Sequence, residues 1–399
     1  MSGGGATAYD AAMPNAEDAN ADEANADDAG SDDLPKLGFT CGDPAGIGPE
    51  VAVAAFHDSR VRAVCRPVLF GSVDSVAKAH ARLGIDEYAT AAGVRRLPSG
   101  SLVATDGRLD PQTRGRVFDR APRVPLGQPS ALAGQVAYES ICEAVQFCPG
   151  VRPQYPPQLD GLVTAPLNKY SLRQAGVAFP GHTEILGQYA VDDRFAMMLH
   201  VAHGRTQDGI DVVGPHGLSI VHVTLHTSVE SVPALLTEAA VLDAISLLQD
   251  DLPKLGCESP RIAVAALNPH GGESGLFGDE EARVIAPAIA RANRTAAANG
   301  QVAGPLPCDT LIRRAVAGEF DAVVAMYHDQ GHIPVKLIAF HEAINVTLGL
   351  PFPRTSPTHG TAFDIVGREP ARSEGMIAAA LTCATMARRQ RAERLHASR

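Results

Sequence analysis

Three histidines in this 399-residue chain share one kind of position. His226, His270 and His328 each lie at or just past the end of an apolar run, within Leu218–His226, Arg261–His270 and Ala322–His328. A neutral imidazole is a good nitrogen ligand, and three with open positions left over suit a divalent metal that accepts substrate oxygens. Their separations of 44 and 58 residues match no local ligand motif, so only the fold can bring them together. The last of these runs leads into a dense polar cluster of Tyr327, His328, Asp329, Gln330, His332 and Lys336. Beyond it come Asn345 and Arg354. A planar guanidinium and a point-charge ammonium together suit a phosphate or a carboxylate.

Strands that end in polar loops would position such groups, because open α/β sheets bind ligands just past the carboxyl ends of their strands. Asp321–Lys336 reads as a strand running into a loop, with Gly331 and Pro334 as the breakers. Ser219–His226 alternates with period two, placing His222, Thr224 and His226 on one face. Leu37–Glu50 reads as a strand, a Gly/Pro-rich turn and a helix from Pro49. Gly161–Thr164 is a further strand with a polar loop to Lys169, and Phe179–Glu184 is a turn entering a helix. Arg194–His200 reads as a strand, His203–Gly217 as a protruding loop, and Thr237–Gln249, Asp279–Ala296 and the stretch from Ser373 as helices. Alternation of strands and helices predicts an α/β fold with a largely parallel sheet. No GxGxxG dinucleotide fingerprint is present.

The net charge of −11 is uneven: residues 1–34 hold nine acids and no Lys or Arg, which leaves −2 for the remainder. That tail is expected to be disordered, being rich in Ala, Asp, Asn, Glu and Gly. A near-neutral body with no Trp and 5% aromatics offers neither the basic stripe nor the stacking platform of a nucleic-acid binder. No apolar run reaches the length of a membrane helix. Seven dispersed cysteines without a CxxC, and no secretory signal, predict reduced thiols in a cytoplasm.

Seven motifs occur in one order: Gly42–Glu50 (GDPAGIGPE), Thr164–Lys169 (TAPLNK), Gly181–Glu184 (GHTE), Leu267–Glu273 (LNPHGGE), Gly304–Thr310 (GPLPCDT), Tyr327–Gly331 (YHDQG) and Asn345–Thr355 (NVTLGLPFPRT). Together, over about residues 35–390, they resemble the 4-hydroxythreonine-4-phosphate dehydrogenases of pyridoxal phosphate biosynthesis. The resemblance implies an isocitrate/isopropylmalate dehydrogenase-like fold, with two α/β/α subdomains and a cleft between them, working as a homodimer. It places residues 35–160 plus 320–399 in the first, NAD-binding subdomain. Residues 161–319 form the second, with the metal site and dimer contacts. It implies that His226, His270 and His328 hold one divalent metal ion (Zn, Mg or Co), and that His182, Thr183, Lys336, Asn345 and Arg354 bind substrate. The loop His359-Gly360-Thr361 to Asp364 looks like the NAD-binding loop of the wider fold group, so NAD or NADP is the implied cofactor. Asp329 and Lys336 are the candidates for proton transfer.

The implied reaction is oxidation of 4-phosphooxy-L-threonine to a 3-keto acid that decarboxylates to 3-amino-2-oxopropyl phosphate. The acidic tail and the 203–217 loop have no counterpart in the family pattern. His332, where an apolar residue is expected, is similar to a sister branch acting on 4-phospho-threonate or 4-phospho-erythronate. A non-catalytic binding protein on the same fold is the reading from a different class. Retention of the three histidines with Lys336 and Arg354 speaks against it.

Overall fold

The structure is a computed structural model that describes residues 34–85, 94–96, 102–104, 124–295 and 301–397. The acidic tail, Leu34 apart, lies outside the described residues. The strands in chain order are β1 (Lys36–Thr40), β2 (Arg66–Phe70), β3 (Val94–Arg96), β4 (Leu102–Ala104), β5 (Gly161–Thr164), β6 (Ala196–Val201), β7 (Gly204–Arg205), β8 (Asp211–Val212), β9 (Leu218–His222), β10 (Ile262–Ala265), β11 (Val302–Leu306), β12 (Ala322–Ala325), β13 (Ile344–Leu348) and β14 (Arg354–Pro357). The α-helices are α1 (Gly48–His57), α2 (Ser59–Val64), α3 (Val73–Leu83), α4 (Ala131–Val145), α5 (Lys169–Gln174), α6 (His182–Gly187), α7 (Val232–Leu235), α8 (Glu238–Asp251), α9 (Ala286–Thr295), α10 (Cys308–Val316), α11 (His328–Ile338) and α12 (Glu374–Ala397).

Ten strands form one sheet in the order β11-β10-β12-β9-β6-β13-β14-β5-β1-β2. Pairing is parallel at both ends, as the βαβ pattern predicts. It is antiparallel at β9–β6, β6–β13 and β13–β14 in the middle. The two parallel halves therefore run in opposite directions and meet at β6 and β13. The sheet divides differently from the expected chain boundaries. β5 pairs with β1 and β14, and β12 lies between β10 and β9. Period-two alternation is legible in the central strands, but only the ladder shows which neighbour each strand takes.

One face of the sheet carries a continuous core with α1, α8 and α12, built on Phe39, Val163, Met198, Val221, Val324 and Val346. The opposite face carries two separate clusters. One packs α10 and α11 on Leu199, Ile220, Ala263, Val323 and Ala325. The other packs α4, α5 and α6 on Val68, Phe70 and Leu162. Between them the same face turns polar. Register places Met197 opposite Thr347 and Ala325 opposite His222; Met198 opposes Val221, so Met197 falls level with His222. Arg354 opposes Leu162 and donates to Thr347. The row Leu162–Arg354–Thr347–Met197–His222–Ala325 thus crosses the junction of the halves, and strand spacing puts Arg354 and His222 roughly 14 Å apart along it.

The strand expected to reach His226 stops at His222: Val223 N still bonds the Ala325 carbonyl in ladder fashion, but Thr224 N then turns to the Met326 carbonyl. The loop 203–217 contains the small β7–β8 hairpin, tied to the end of α11 by Thr206 Oγ1 donating to the Ile338 carbonyl at 2.8 Å. No single helix among the described residues is long and apolar enough to cross a membrane. All seven cysteines are free thiols.

Candidate active site

The stretch after β12 is a helix rather than the expected loop. α11 starts at His328, immediately after its N-cap Tyr327, and runs through both Gly331 and Pro334. Each breaker has a local reason. Pro334 cannot donate to the Gln330 carbonyl four residues back, and that oxygen instead faces the Cys308 thiol at 4.0 Å. A Cβ on Gly331 would lie 2.3 Å from His222 Nε2, so only glycine lets the helix cross the end of β9. Gln330 locks the start of the helix: Oε1 accepts from Met326 N at 2.7 Å, and Nε2 donates to the Ala266 carbonyl at 2.8 Å.

Helical spacing then aligns His328, His332 and Lys336 at four-residue intervals, one stripe of α11. The His328 and His332 rings stack, with centroids 3.7 Å apart and 7° between planes. His332 Nδ1 lies 3.2 Å from His222 Nε2 and 3.3 Å from the His328 carbonyl. The His328 carbonyl can only accept, which favours the tautomer of His332 with its proton on Nδ1. His226 lies 6.2 Å, centroid to centroid, from His328. Burial, with neighbouring imidazoles adding, pushes His222 down to about 3 and His332 down to about 4. His226 is also lowered, by desolvation first and then by Lys169. His328 Nδ1 pairs with Asp329 Oδ1 at 2.7 Å. A cavity of about 520 Å³ is lined by His226, Tyr327, His328 and Asp329, with Leu225 and Val229 among its other walls.

His270 does not line that cavity. It sits with φ 52° in a left-handed run through Ser274, exposed, with Nδ1 3.1 Å from Glu273 Oε1. The loop is anchored by buried Glu281, whose Oε1 accepts from the backbone N–H of Leu267 and Asn268. Among the described residues no three His, Cys, Asp or Glu side chains are placed to hold a metal ion. The structure thus brings together His226 and His328 but not the expected trio, and adds His222 and His332. Lys336 lies exposed on the α11 stripe, outside the cavity lining.

Arg354 occupies the polar gap between the two split clusters and is 2% exposed. Its Nε and Nη2 donate to Thr164 Oγ1 at 3.2 and 2.6 Å, and its Nη1 to Thr347 Oγ1 at 3.0 Å. No carboxylate among the described residues comes within ion-pair distance. Burial pulls its pKa down to about 9, against upward effects of Cys383 and Glu184. His182 opens α6 beside it, with Nε2 buried and without a partner among the described residues. Burial and the Arg354 charge hold that imidazole far below its usual range, so it is neutral. Thr183 follows in the same turn. Asn345, on the Thr347 face of β13, donates through Nδ2 to the Pro357 carbonyl at 3.2 Å. A buried cation, two hydroxyls and an unspent imidazole are groups whose chemistry suits an anion.

The His359–Asp364 loop packs on the Gly42–Glu50 turn, where Ile47 N donates to the Thr361 carbonyl at 3.0 Å. A Cβ on Gly46 would meet that carbonyl at 2.6 Å, which explains the glycine. Within the loop Thr361 is buried and Asp364 exposed. Among the described residues His359 Nε2 is buried without a partner, and a Cβ on Gly360 would meet nothing within 4 Å. An open backbone beside an unspent imidazole nitrogen fits a bound dinucleotide.

Residues 63–383 match the family model described as pyridoxal phosphate biosynthetic protein PdxA. This chain belongs to the PdxA family. It is 40% identical over 354 residues to a 4-hydroxythreonine-4-phosphate dehydrogenase of Geobacter metallireducens, covering 89% of this chain and 96% of that protein. It is 37% identical to a D-threonate 4-phosphate dehydrogenase of Salmonella typhimurium, covering 84% and 94%. The crystal structure of a 4-hydroxythreonine-4-phosphate dehydrogenase from Burkholderia phymatum superposes with a TM-score of 0.66 at 36% identity, covering 88% of this chain and 98% of that one. The PdxA neighbours confirm the expected fold class.

Several residues of this PdxA-family site escaped the sequence reading. Thr164 and Thr347 come from strands far apart in the chain and meet only through Arg354. His222 had a signal, the period-two face it shares with Thr224 and His226, but nothing in the sequence tied it to His332. Lys169 and Glu184 lie inside recognised motifs, yet no local spacing joins them to His226.

Proposed function

We propose that this chain is an NAD(P)-dependent dehydrogenase of a phosphorylated four-carbon hydroxy acid. The first substrate is 4-phosphooxy-L-threonine, oxidised to the 3-keto acid that decarboxylates to 3-amino-2-oxopropyl phosphate in vitamin B6 synthesis. The observation that supports this best is Arg354: a fully buried guanidinium, without a carboxylate partner among the described residues, set between two threonine hydroxyls and a neutral histidine. Leaving such a charge unpaired costs several kcal/mol, which an anionic substrate group offsets through charge-assisted hydrogen bonds.

In this reading Arg354, His182 and Thr183 hold the phosphate, and Asn345 and Lys336 orient the rest. His359, Gly360, Thr361 and Asp364 cradle the dinucleotide, which when bound supplies the hydride acceptor. Asp329 is preferred over Lys336 as proton acceptor, because its carboxylate lines the cavity and is hydrogen-bonded to His328. A divalent ion (Zn, Mg or Co) is proposed only at His226 and His328, the two expected ligands that share the cavity. The cytoplasm is proposed from the free thiols, and a homodimer from exposed Leu276, Phe277, Ile333 and Leu337.

A second substrate, D-threonate 4-phosphate, is supported by the name of the Salmonella relative and by the added His222–His332 pair. The two acids differ only at C2, ammonium against hydroxyl. NADH formation with each, with NAD and NADP in turn, tests the reading. Absence of turnover with both acids would sink it.

A further inference from the structure

The last turn of α11 ends in a clamp supplied by the 203–217 loop. Gly204 pairs with Val212 and Arg205 with Asp211 to form the β7–β8 hairpin, and Thr206–Ile210 is its tip. The buried Thr206 hydroxyl makes two bonds. It accepts from Ile210 N at 3.1 Å, which closes the tip, and donates at 2.8 Å to the carbonyl of Ile338, the last residue of α11. The Asp208 carboxylate then accepts from Phe340 N at 2.8 Å, and Gln207 N donates to Glu342 Oε2 at 2.9 Å. Beneath the tip, Val212 of β8 packs in the same cluster as Val335, Ile338 and Ala339. One short hairpin thus takes the final carbonyl of the helix and ties down the chain that leaves it.

α11 needs a hold from outside at this end. Pro334 has no N–H for the Gln330 carbonyl, so the helix loses one bond two residues before Lys336. The contacts that fix its start lie upstream: Gln330 bonded to Met326 N and the Ala266 carbonyl, and Gly331 against His222. Downstream, the carbonyls of a last turn have no partner within the helix, and such a turn frays unless something else takes them. Val335 and Ile338 of this turn are buried, while Lys336 and Leu337 are exposed. What holds Ile338 and Phe340 therefore sets where the Lys336 backbone stands.

We propose that Thr206 is a positioning residue: through it the β7–β8 hairpin fixes the last turn of α11, so that Lys336 is presented to the carboxylate of the hydroxy acid. This rests on the substrate-binding role given to Lys336 above. An exposed lysine side chain already loses rotamer freedom when it grips an anion. A backbone that had to be ordered in the same step would add to that cost. The hairpin orders that backbone before substrate arrives. His328 and Asp329 open α11 at its other end, before the Gln330 lock, so their placement does not depend on the hairpin. Loss of the clamp should therefore weaken the hold on substrate and spare the chemical step.

The test uses the full chain as wild type, Thr206→Val and Thr206→Ser, each alone and combined with Lys336→Met. Valine keeps the shape of threonine and removes the hydroxyl, and serine restores it. Without ligand, hydrogen exchange should speed up several-fold at amides 336–340 in Thr206→Val, with amides 329–332 unchanged and Thr206→Ser close to wild type. In turnover of 4-phosphooxy-L-threonine or D-threonate 4-phosphate, Thr206→Val should raise KM roughly three- to tenfold, the size of one neutral hydrogen bond. kcat should change little, and Thr206→Ser should restore KM. In the Lys336→Met background Thr206→Val should raise KM no further, because the two residues act as one. Unchanged exchange at 336–340, or KM that rises equally in both backgrounds, overturns the assignment. A raised KM in Lys336→Met with none in Thr206→Val defeats this proposal alone. Wild-type KM in Lys336→Met defeats the role given to Lys336 and this proposal with it. Wild type that turns over neither acid defeats the proposed reaction, and calorimetric Kd values for the two acids then replace KM in the same comparison. Wild type that binds neither acid defeats both.

Discussion

Replacing Arg354 by methionine separates a residue that binds substrate from one that holds the fold together. The two side chains are of similar length, and Met is neutral. In the folded protein Arg354 spends three of its five N–H donors on Thr164 and Thr347 and has no carboxylate among the described residues to offset its burial. Replacing buried charge with an apolar side chain of similar volume is often neutral or stabilising by about 1–4 kcal/mol. Two threonine hydroxyls lose a partner, which takes back up to about 1–3 kcal/mol for each one left unsatisfied. The expected net change in stability is therefore small, of either sign. Function should not be small-change. Two charge-assisted bonds to a phosphate contribute about 1.5–3 kcal/mol each, so kcat/KM should fall roughly a hundred- to ten-thousandfold. Urea denaturation gives the first quantity and steady-state kinetics the second. A third measurement links them: substrate should raise the Tm of wild type but not of Arg354→Met, as mass action on the folded state requires. Unfolding of the variant under native conditions, or kcat/KM close to wild type, would show that Arg354 is a strut between β5 and β13. The phosphate site would then have to be sought elsewhere.

Other outcomes follow from single contacts. Gly331→Ala should lower Tm and turnover together, since the new methyl would sit 2.3 Å from His222 Nε2 and α11 must move; overpacking of this kind costs about 1–3 kcal/mol. An unshifted Tm would mean that His222 simply rotates away. Gln330→Met should destabilise by roughly 2–4 kcal/mol in urea melts, because it strips partners from Met326 N and the Ala266 carbonyl. Acid should weaken the fold through buried histidines held neutral: His222 is lowered to about 3, His200 and His332 to about 4. The unfolded chain takes up these protons near pH 6.5 and the folded chain does not, so stability is full above 6.5 and falls as pH drops toward 4. A flat stability between pH 6.5 and 4.5 would refute their neutral state. His226→Ala and His328→Ala should each reduce bound metal in the purified protein, read by elemental analysis, and unchanged metal content in both would remove the ion from that cavity.

The sequence alone determined the family and most elements of the fold. Apolar runs of four to six residues alternating with helical patterns are local features, and seven motifs in one order leave little freedom about kinship. It also marked which residue types could do chemistry, so that His328, Asp329, His226, His182 and Arg354 could be named as candidates before any contact was known. Local reasoning failed at α11. Gly331 and Pro334 oppose a helix by propensity, and tertiary contacts override them: Gln330 bridging β12 and β10, and His222 occupying the space a side chain would need. The sheet order was also out of reach. Which strand lies beside which depends on side-chain complementarity between segments a hundred or more residues apart, and the antiparallel pair β6–β13 in mid-sheet has no sequence signal of its own. That order decides where the polar row falls, and so whether Arg354 meets Thr164 and Thr347. The order sets β10, β12 and β9 side by side, and the left-handed run from His270 to Ser274 after β10 leaves His270 outside the cavity that His226 and His328 line. Residue type sets what a site can do, whereas register and crossing helices set which residues meet, because those distances come from packing across the chain rather than along it.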